Sequence, residues 1–136
     1  MWRPGEVAGS GTLGFKVLIV DDSKSTREFI VAAIEQLEGF AVYESASGFE
    51  ALKILPRHRF DLIITDINMP DINGLELINF VKKNPNYRDT PLFIISTESS
   101  DTDRQRGLAL GAAEYLIKPF EPDALTALVR RYVKIG

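Results

Sequence analysis

A short run of apolar residues near the start of the sequence ends in two adjacent carboxylates. The segment KVLIVDDSK occupies residues 16–24, and its apolar part, Val17 to Val20, leads directly into Asp21 and Asp22. Two neighbouring carboxylates repel each other, and each loses hydration beside an apolar core. The pair therefore predicts a positively charged partner at the same place in the fold.

Polar side chains also follow three other apolar runs. Asp66 comes directly after FDLIIT (60–65), Ser96 and Thr97 follow PLFII, and Lys118 follows AEYLI. In open α/β sheets, the carboxyl ends of the strands form the crevice in which ligands bind. We therefore expect three carboxylates, a hydroxyl and an ammonium group to converge on one edge of a sheet.

This set of groups suits metal-assisted phosphoryl transfer. A divalent cation and the Lys118 ammonium would balance the three negative charges, and a small set of oxygen ligands favours Mg²⁺. Aspartate is a nucleophile for phosphoryl groups, and such transfer needs mainly positioning and charge neutralisation. One aspartate at a strand end is usually a helix cap or a loop carboxylate, but a set spread over four strand ends favours a functional site.

The elements that must position these residues alternate along the chain from Phe15 onward. Apolar runs lie at 15–20, 40–43, 60–65, 91–95 and 113–117, and stretches of helical periodicity separate them. Five βα units in succession predict one α/β domain with a parallel sheet over residues 15–136, with the short second run at an edge. Residues 1–14 contain four glycines and no apolar stretch, which predicts a flexible N-terminal tail.

The helical stretches carry apolar faces and capping signals. Gly39 is expected to cap the end of the first helix, Ser47 to Glu50 forms a capping-box pattern at the second, and Pro122 begins the fifth. The predicted inward faces are Phe29, Ile30, Ala33, Ile34 and Leu37 in the first helix, Ala51, Leu52 and Leu55 in the second, Leu77, Ile78 and Val81 in the third, and Leu125, Leu128, Val129 and Tyr132 in the fifth.

The fourth helix, from about Ser100 to Leu110, is predicted to be the weakest. Its first turns are polar, and Gly107 lies inside it at a cost of about 1 kcal/mol relative to Ala. This helix therefore has the least to hold it in one place.

Composition excludes several other kinds of site. The chain has no cysteine, which excludes disulfides, zinc–thiolate centres and thiol nucleophiles. His58 is the only histidine, and Arg57 to Arg59 beside Pro56 is interpreted as a solvated loop. The 16 basic and 19 acidic residues leave a net charge of −3, which is too mild to indicate nucleic-acid binding. No apolar run approaches the roughly 18 residues of a membrane span.

Together these segments resemble the receiver domains of two-component response regulators, the CheY-like family. The resemblance covers about residues 15–134 and rests on VLIVDDS, DLIITDINMPDINGLEL, the hydroxyl after PLFII, and GAAEYLIKPF. It implies a doubly wound, five-stranded parallel sheet of order 2-1-3-4-5 with five helices. The implied function is a phosphorylation-activated signalling switch of a bacterial two-component system, located in the cytoplasm.

The resemblance also implies a role for each acidic residue at the strand ends. Asp66 would accept phosphate from a phosphohistidine on a sensor histidine kinase or phosphotransfer protein, and Lys118 would contact the phosphoryl group. Asp22, Asp66 and the backbone carbonyl of Asn68 would bind Mg²⁺ directly, and Asp21 mainly through water. Such a chain catalyses its own phosphotransfer and dephosphorylation but is not otherwise an enzyme.

The resemblance assigns the conformational signal to two residues. Ser96 would move towards the phosphate, and Tyr115 would turn inward with it. We expect the fourth helix, the fifth strand and the fifth helix to form the surface read by an output protein or domain. No membrane contact and no direct nucleic-acid contact is expected for this chain.

Three further positions bear on phosphate lifetime and access, and the resemblance also implies the conformation of one peptide bond. Asn68 and Glu98 match positions that tune phosphate lifetime in the family, and the Lys118–Pro119 peptide is expected to be cis. Thr97 stands where the family commonly has Ala or Gly, and its bulk is expected to narrow access to Asp66.

Two alternative functions also use these residue types. An aspartate-nucleophile phosphohydrolase typically carries DxDx[TV] after its first strand, and Asp21-Asp22-Ser23 does not fit that pattern. A pseudo-receiver that is never phosphorylated would lack one of the acidic residues or the lysine, and here all are present. A phosphorylated receiver is the favoured interpretation.

Overall fold

Five strands and five α-helices alternate along the computed structural model, which describes residues 14–97 and 101–133. The strands are β1 (Phe15–Val20), β2 (Phe40–Ser45), β3 (Leu62–Thr65), β4 (Leu92–Ser96) and β5 (Glu114–Ile117). The helices are α1 (Lys24–Ile34), α2 (Gly48–Ile54), α3 (Gly74–Lys83), α4 (Asp101–Leu110) and α5 (Pro122–Tyr132), and a 3₁₀ helix, Leu55–Arg57, follows α2. The tail predicted at 1–14, apart from Gly14, lies outside the described residues, as does Ser100.

The strands form one parallel sheet in the order β2-β1-β3-β4-β5, which confirms the implied topology. The second strand lies at an edge, as predicted, but it is as long as β1. It pairs with β1 over its full length, from Phe15 opposite Phe40 to Val20 opposite Ser45, so it extends two residues beyond the predicted run at 40–43.

The sheet is buried on both faces. In β1, Val17 and Ile19 point into one apolar core and Leu18 and Val20 into the other. Helices α1 and α5 cover the first face, and α2, α3 and α4 cover the second. This two-sided burial is why the strands are continuously apolar rather than alternating.

Most predicted helix faces are confirmed, but Phe29 is an exception. Its side chain is 42% exposed, because α1 buries Ile30, Ala33 and Ile34 and position 29 lies about 100° away from Ile30 around the helix. The Phe29 ring instead packs edge-on against Phe120 at a centroid distance of 5.4 Å.

The interpretation of residues 57–59 as a solvated loop is partly wrong. Arg57 and Arg59 are exposed, but His58 is half-buried, and its ring lies 4.4 Å from that of Tyr43 and 5.6 Å from that of Phe60. The 3₁₀ turn before His58 directs its ring onto these aromatic side chains. Burial, together with the nearby positive charges of Lys16 and Arg57, lowers the pKa of His58.

No helix in residues 14–97 and 101–133 combines the length and the apolar character needed to span a bilayer.

Candidate phosphorylation site

Four neighbouring strands bring the predicted site residues to one edge of the sheet. Asp21, Asp66 and Lys118 immediately follow β1, β3 and β5, and Ser96 is the last residue of β4. The backbone continues the pairing one step beyond the strands, since the Asp66 N–H donates to the Val20 carbonyl at 2.9 Å. The sheet topology therefore fixes where these side chains begin, although they are up to 97 positions apart in sequence.

The three aspartates form one cluster. Carboxylate oxygens of Asp21, Asp22 and Asp66 all lie within 4.8 Å of one another. Asp21 is only 1% exposed and Asp66 only 8%, whereas Asp22 is exposed to solvent. Oxygen donors alone, two of them shielded and one open to water, match the preferences of a hard divalent cation such as Mg²⁺.

Lys118 is the positive partner that the adjacent aspartates required. Its Nζ lies 3.1 Å from Asp21 Oδ2 and 3.8 Å from Asp66 Oδ2. The ammonium is itself mostly buried, with 17% of its side chain exposed, so its attraction to the carboxylates is weakly screened. The lysine offsets part of the repulsion, and the cluster keeps an excess of negative charge that a cation can neutralise.

Asp66 has an unusual electrostatic environment. Burial raises the pKa of its carboxyl above the ordinary value, Lys118 opposes that rise, and the charge of Asp21 adds to it. The N–H of Ile67 donates to Asp66 Oδ1 at 2.8 Å, and this N–H and the backbone N–H of Asn68 both act to lower the pKa of Asp66. These donors orient the carboxylate from the loop that follows β3.

Asp21 is held in place by the start of α1. Its Oδ1 accepts a hydrogen bond from the Ser23 N–H at 2.9 Å, and Ser23 Oγ in turn accepts from the Thr26 N–H to cap the helix. Arg27 donates from one Nη to the Asp21 carbonyl at 2.7 Å and from Nε to Glu44 at 3.0 Å. Sequence reasoning missed Arg27, since an arginine within a helix carries no signal that it folds back onto the preceding strand end.

Comparison with known protein families identifies the family to which this chain belongs. A family model described as the response regulator receiver domain matches residues 17–130. This chain belongs to the receiver domain family. It is therefore a phosphorylation-activated signalling switch, and the phosphohydrolase and pseudo-receiver alternatives are not favoured.

Individual relatives agree with this assignment. A chemotaxis protein CheY homolog of Campylobacter jejuni is 36% identical over 111 residues, which are 81% of this chain and 85% of that protein. The structure of CheY4 from Vibrio cholerae is 38% identical with a TM-score of 0.80, and the match covers 88% of this chain and 99% of CheY4. A sensor histidine kinase receiver domain from Pseudomonas aeruginosa, solved with a magnesium ion coordinated in its active-site cleft, is 27% identical with a TM-score of 0.81, over 90% and 100% of the two chains.

Other curated relatives are longer. This chain spans 48%, 54% and 49% of three proteins described as transcriptional regulators or probable ones. The match therefore concerns only about half of each of these proteins.

The receiver domain's candidate switch residues lie on β4 and β5. Ser96 is fully buried, and its carbonyl accepts from the Lys118 N–H at 2.8 Å. Tyr115 is half-buried, lies opposite Ile94 in the strand register and packs against the second apolar core. Ser96 therefore lies beside Lys118, whereas Tyr115 lies three positions before Lys118 on β5, and the switch roles that the resemblance implies for both residues stay predictions.

The structure describes three of the four remaining features that the resemblance implies for the site. Thr97 and Asn68 are exposed at the site edge, and the Lys118–Pro119 peptide is cis, as expected. Glu98, the second predicted lifetime residue, lies outside the described residues.

Proposed function

We propose that this receiver domain, residues 15–136, accepts a phosphoryl group on Asp66 from a phosphohistidine of a sensor histidine kinase or phosphotransfer protein. The observation that carries this proposal is the convergence of three carboxylates with the Lys118 ammonium, which lies within 4 Å of both Asp21 and Asp66. Among the three aspartates, Asp66 follows the central strand, β3, and its carboxylate has both cationic and backbone partners.

The residues present suit a bound Mg²⁺. Asp22, Asp66 and the Asn68 carbonyl would hold it directly, and Asp21 through water, since Asp21 is already engaged by Lys118 and the Ser23 N–H. When bound, Mg²⁺ supplies the positive charge that neutralises the carboxylates and the incoming phosphoryl oxygens. Asp22, the exposed member of the cluster, leaves the site open to solvent and to a donor.

The transfer exchanges one bond for another. A carboxylate oxygen of Asp66 forms an O–P bond while the P–N bond of the donor imidazole breaks, and the electron pair leaves with the imidazole nitrogen. Lys118 stabilises the charge on the phosphoryl oxygens, because its Nζ already lies beside Asp66. Hydrolysis of the resulting acyl phosphate, also at this site, resets the switch, and Asn68 and Glu98 tune its lifetime.

The signal leaves through the adjacent strands. Phosphate on Asp66 attracts the Ser96 hydroxyl, and Tyr115 turns into the space that this movement leaves. The surface of α4, β5 and α5 changes as a result and is read by an output partner. In this proposal, donor, receiver and output partner meet in the bacterial cytoplasm.

The test is phosphate incorporation with phosphoramidate, whose P–N bond resembles that of phosphohistidine, in the presence of excess Mg²⁺. We expect one base-labile phosphate per chain in the wild type and in the control variant Asp89→Asn. Asp89 is exposed and precedes β4, so it lies towards the amino ends of the strands, away from the site. Asp66→Asn should incorporate none, and chelation of Mg²⁺ should abolish labelling of the wild type. Base-labile phosphate that persists in Asp66→Asn would place the acceptor elsewhere, and a wild type that is labelled neither by phosphoramidate nor by a protein phosphohistidine would overturn the proposal.

A further inference from the structure

The loop between β3 and α3, residues 66–73, carries both Asp66 and Asn68 and belongs to no strand or helix. Its start is fixed to the sheet by the Asp66 N–H, and the Gly74 N–H closes it by donating to the Ile67 carbonyl at 2.8 Å. These two hydrogen bonds fix Asp66, Ile67 and the start of α3, but neither of them holds the residues from Asn68 to Asn73. The middle of the loop therefore needs a separate contact to hold it in place.

Asp71 provides that anchor by binding the first turn of α2. Its Oδ2 accepts from the Phe49 N–H at 2.8 Å, and its Oδ1 accepts from the Gly48 N–H at 3.1 Å and the Ile72 N–H at 2.7 Å. Gly48 and Phe49 open the helix, so their N–H groups have no partner within it. These hydrogen bonds, that from Phe49 above all, lower the pKa of Asp71 to about 2, which keeps the carboxylate ionised at neutral pH.

An apolar contact reinforces the same junction. A Cβ atom on Gly48 would lie 2.1 Å from Ile72 Cγ1 and 3.1 Å from the Ile72 carbonyl oxygen. Only glycine therefore allows α2 to approach the loop this closely. The loop is thus attached to α2 by a polar contact at Asp71 and by a close apolar contact at Ile72.

We propose that Asp71 is a positioning residue for the phosphorylation site, because it attaches the middle of the loop to α2 and so holds Ile67 and Asn68 against Asp66 and the bound cation. Only two residues separate Asn68 from Asp71, so displacement of Asp71 is transmitted directly to the Asn68 backbone. A loop released from α2 would have to be ordered when the cation binds, which costs conformational entropy. This inference rests on the proposed function, since it concerns the same cation site.

The expected consequence is weaker Mg²⁺ binding without loss of the phosphoryl acceptor. Removing a group that orients a metal ligand typically weakens metal binding roughly 10- to 100-fold. We expect Asp71→Ala to raise the dissociation constant for Mg²⁺ roughly tenfold. Asp71→Asn should have a smaller effect, because its one amide oxygen replaces only one of the two carboxylate acceptors. At saturating Mg²⁺, both variants should reach the wild-type phosphate stoichiometry on Asp66.

The experiment is a titration of the full chain with Mg²⁺ alone, followed by the amide resonances in NMR spectra at a temperature where every variant is folded. Under that condition a role in global stability alone leaves the dissociation constant unchanged. Hydrogen exchange at Gly48, Phe49 and Ile72 reports on the Asp71 contacts directly and should accelerate in Asp71→Ala. Glu38→Gln is the matched control and should behave as wild type. It removes an exposed carboxylate that precedes β2, at the amino ends of the strands and away from the site.

Gly48→Ala tests the same junction from the side of α2. Alanine is a better helix former than glycine, so an effect on α2 alone would leave Mg²⁺ binding unchanged. The clash with Ile72 should instead displace the loop and weaken Mg²⁺ binding in the same direction as Asp71→Ala. Wild-type Mg²⁺ affinity in Asp71→Ala would overturn this inference while leaving the proposed function intact, and absence of Mg²⁺ binding in the wild type would overturn both.

Discussion

Asp66 and Asp71 lie on one loop, yet the structure shifts their pKa values in opposite directions. Asp66 is buried beside Asp21, which favours its protonated form despite Lys118. Asp71 is half-buried and receives several backbone N–H groups, which favour its ionised form. The first arrangement leaves an unfavourable negative charge that a cation can neutralise, and the second holds the loop in place.

The raised pKa of Asp66 predicts a stability effect in the metal-free protein. A carboxyl whose pKa is higher in the folded state stabilises the fold at pH values below its unfolded pKa, near 3.9, and this contribution is lost as pH rises through the folded value. Asp66→Asn removes the buried charge while Lys118 keeps Asp21, so its melting temperature at pH 7 without Mg²⁺ should exceed that of the wild type. The difference should shrink as pH falls towards 4, measured by thermal unfolding with Asp89→Asn as control. A difference that stays constant from pH 7 to pH 4 would contradict the electrostatic origin.

At the scale of the elements, sequence patterns predicted the features that are set by residues close together in the sequence. Apolar runs predicted the strands and most helix faces, and the strand-end aspartates predicted the cluster that β1 and β3 assemble. The predicted cap at Gly39 was wrong, because α1 ends at Ile34 with Glu35 as its C-cap. Contacts between distant segments were missed. The hydrogen bond from Arg27 to the Asp21 carbonyl and the Asp71 contacts with α2 depend on how α1, α2 and the loop approach one another, which no local pattern specifies.

Gly107 also shows that local sequence patterns miss tertiary packing. Its effect on helix propensity destabilises α4, whereas its small size favours the packing of α4 on the sheet. By propensity it weakens α4, but within Asp101–Leu110 it is the only buried residue. A Cβ atom at this position would lie 2.6 Å from Ile94 Cδ1 in the fully buried core of β4. Glycine therefore lets α4 approach the sheet.

A double-mutant cycle tests this account. Gly107→Ala gains about 1 kcal/mol of helix propensity but overpacks the core, which typically costs about 1–3 kcal/mol, so we expect net destabilisation. Ile94→Val removes the Cδ1 atom and alone should cost about 0.5–1.5 kcal/mol. In the double variant the clash is absent, so urea unfolding should give a favourable coupling of about 1 kcal/mol between the two sites. Additive effects would show that Ile94 does not limit the approach of α4.

At the scale of the whole molecule, the site and the proposed output surface share β4 and β5. The sheet order places β5 at the edge, next to the strand that ends in Ser96. This edge is the least buried part of the sheet: Ile117 is 42% exposed, and Leu108 on α4 is 41% exposed. Segments with few buried apolar contacts open at the lowest free energy, so we expect a change at Ser96 to be transmitted most readily in this direction.

The last prediction concerns how far that change extends. Beryllofluoride with Mg²⁺ should stand in for the acyl phosphate on Asp66, and a few kcal/mol of differential interaction is enough to shift a two-state population strongly. We expect hydrogen exchange to change at α4, β5 and the start of α5 on binding, and to stay unchanged in α1 and at the strand ends opposite the site. The wild type with Mg²⁺ alone should not show these changes, which separates the effect of the acyl-phosphate mimic from that of the cation, and Asp66→Asn with both should also show none. Changes confined to α1 and α2, with residues 101–118 unaffected, would show that the signal leaves by another face of the domain.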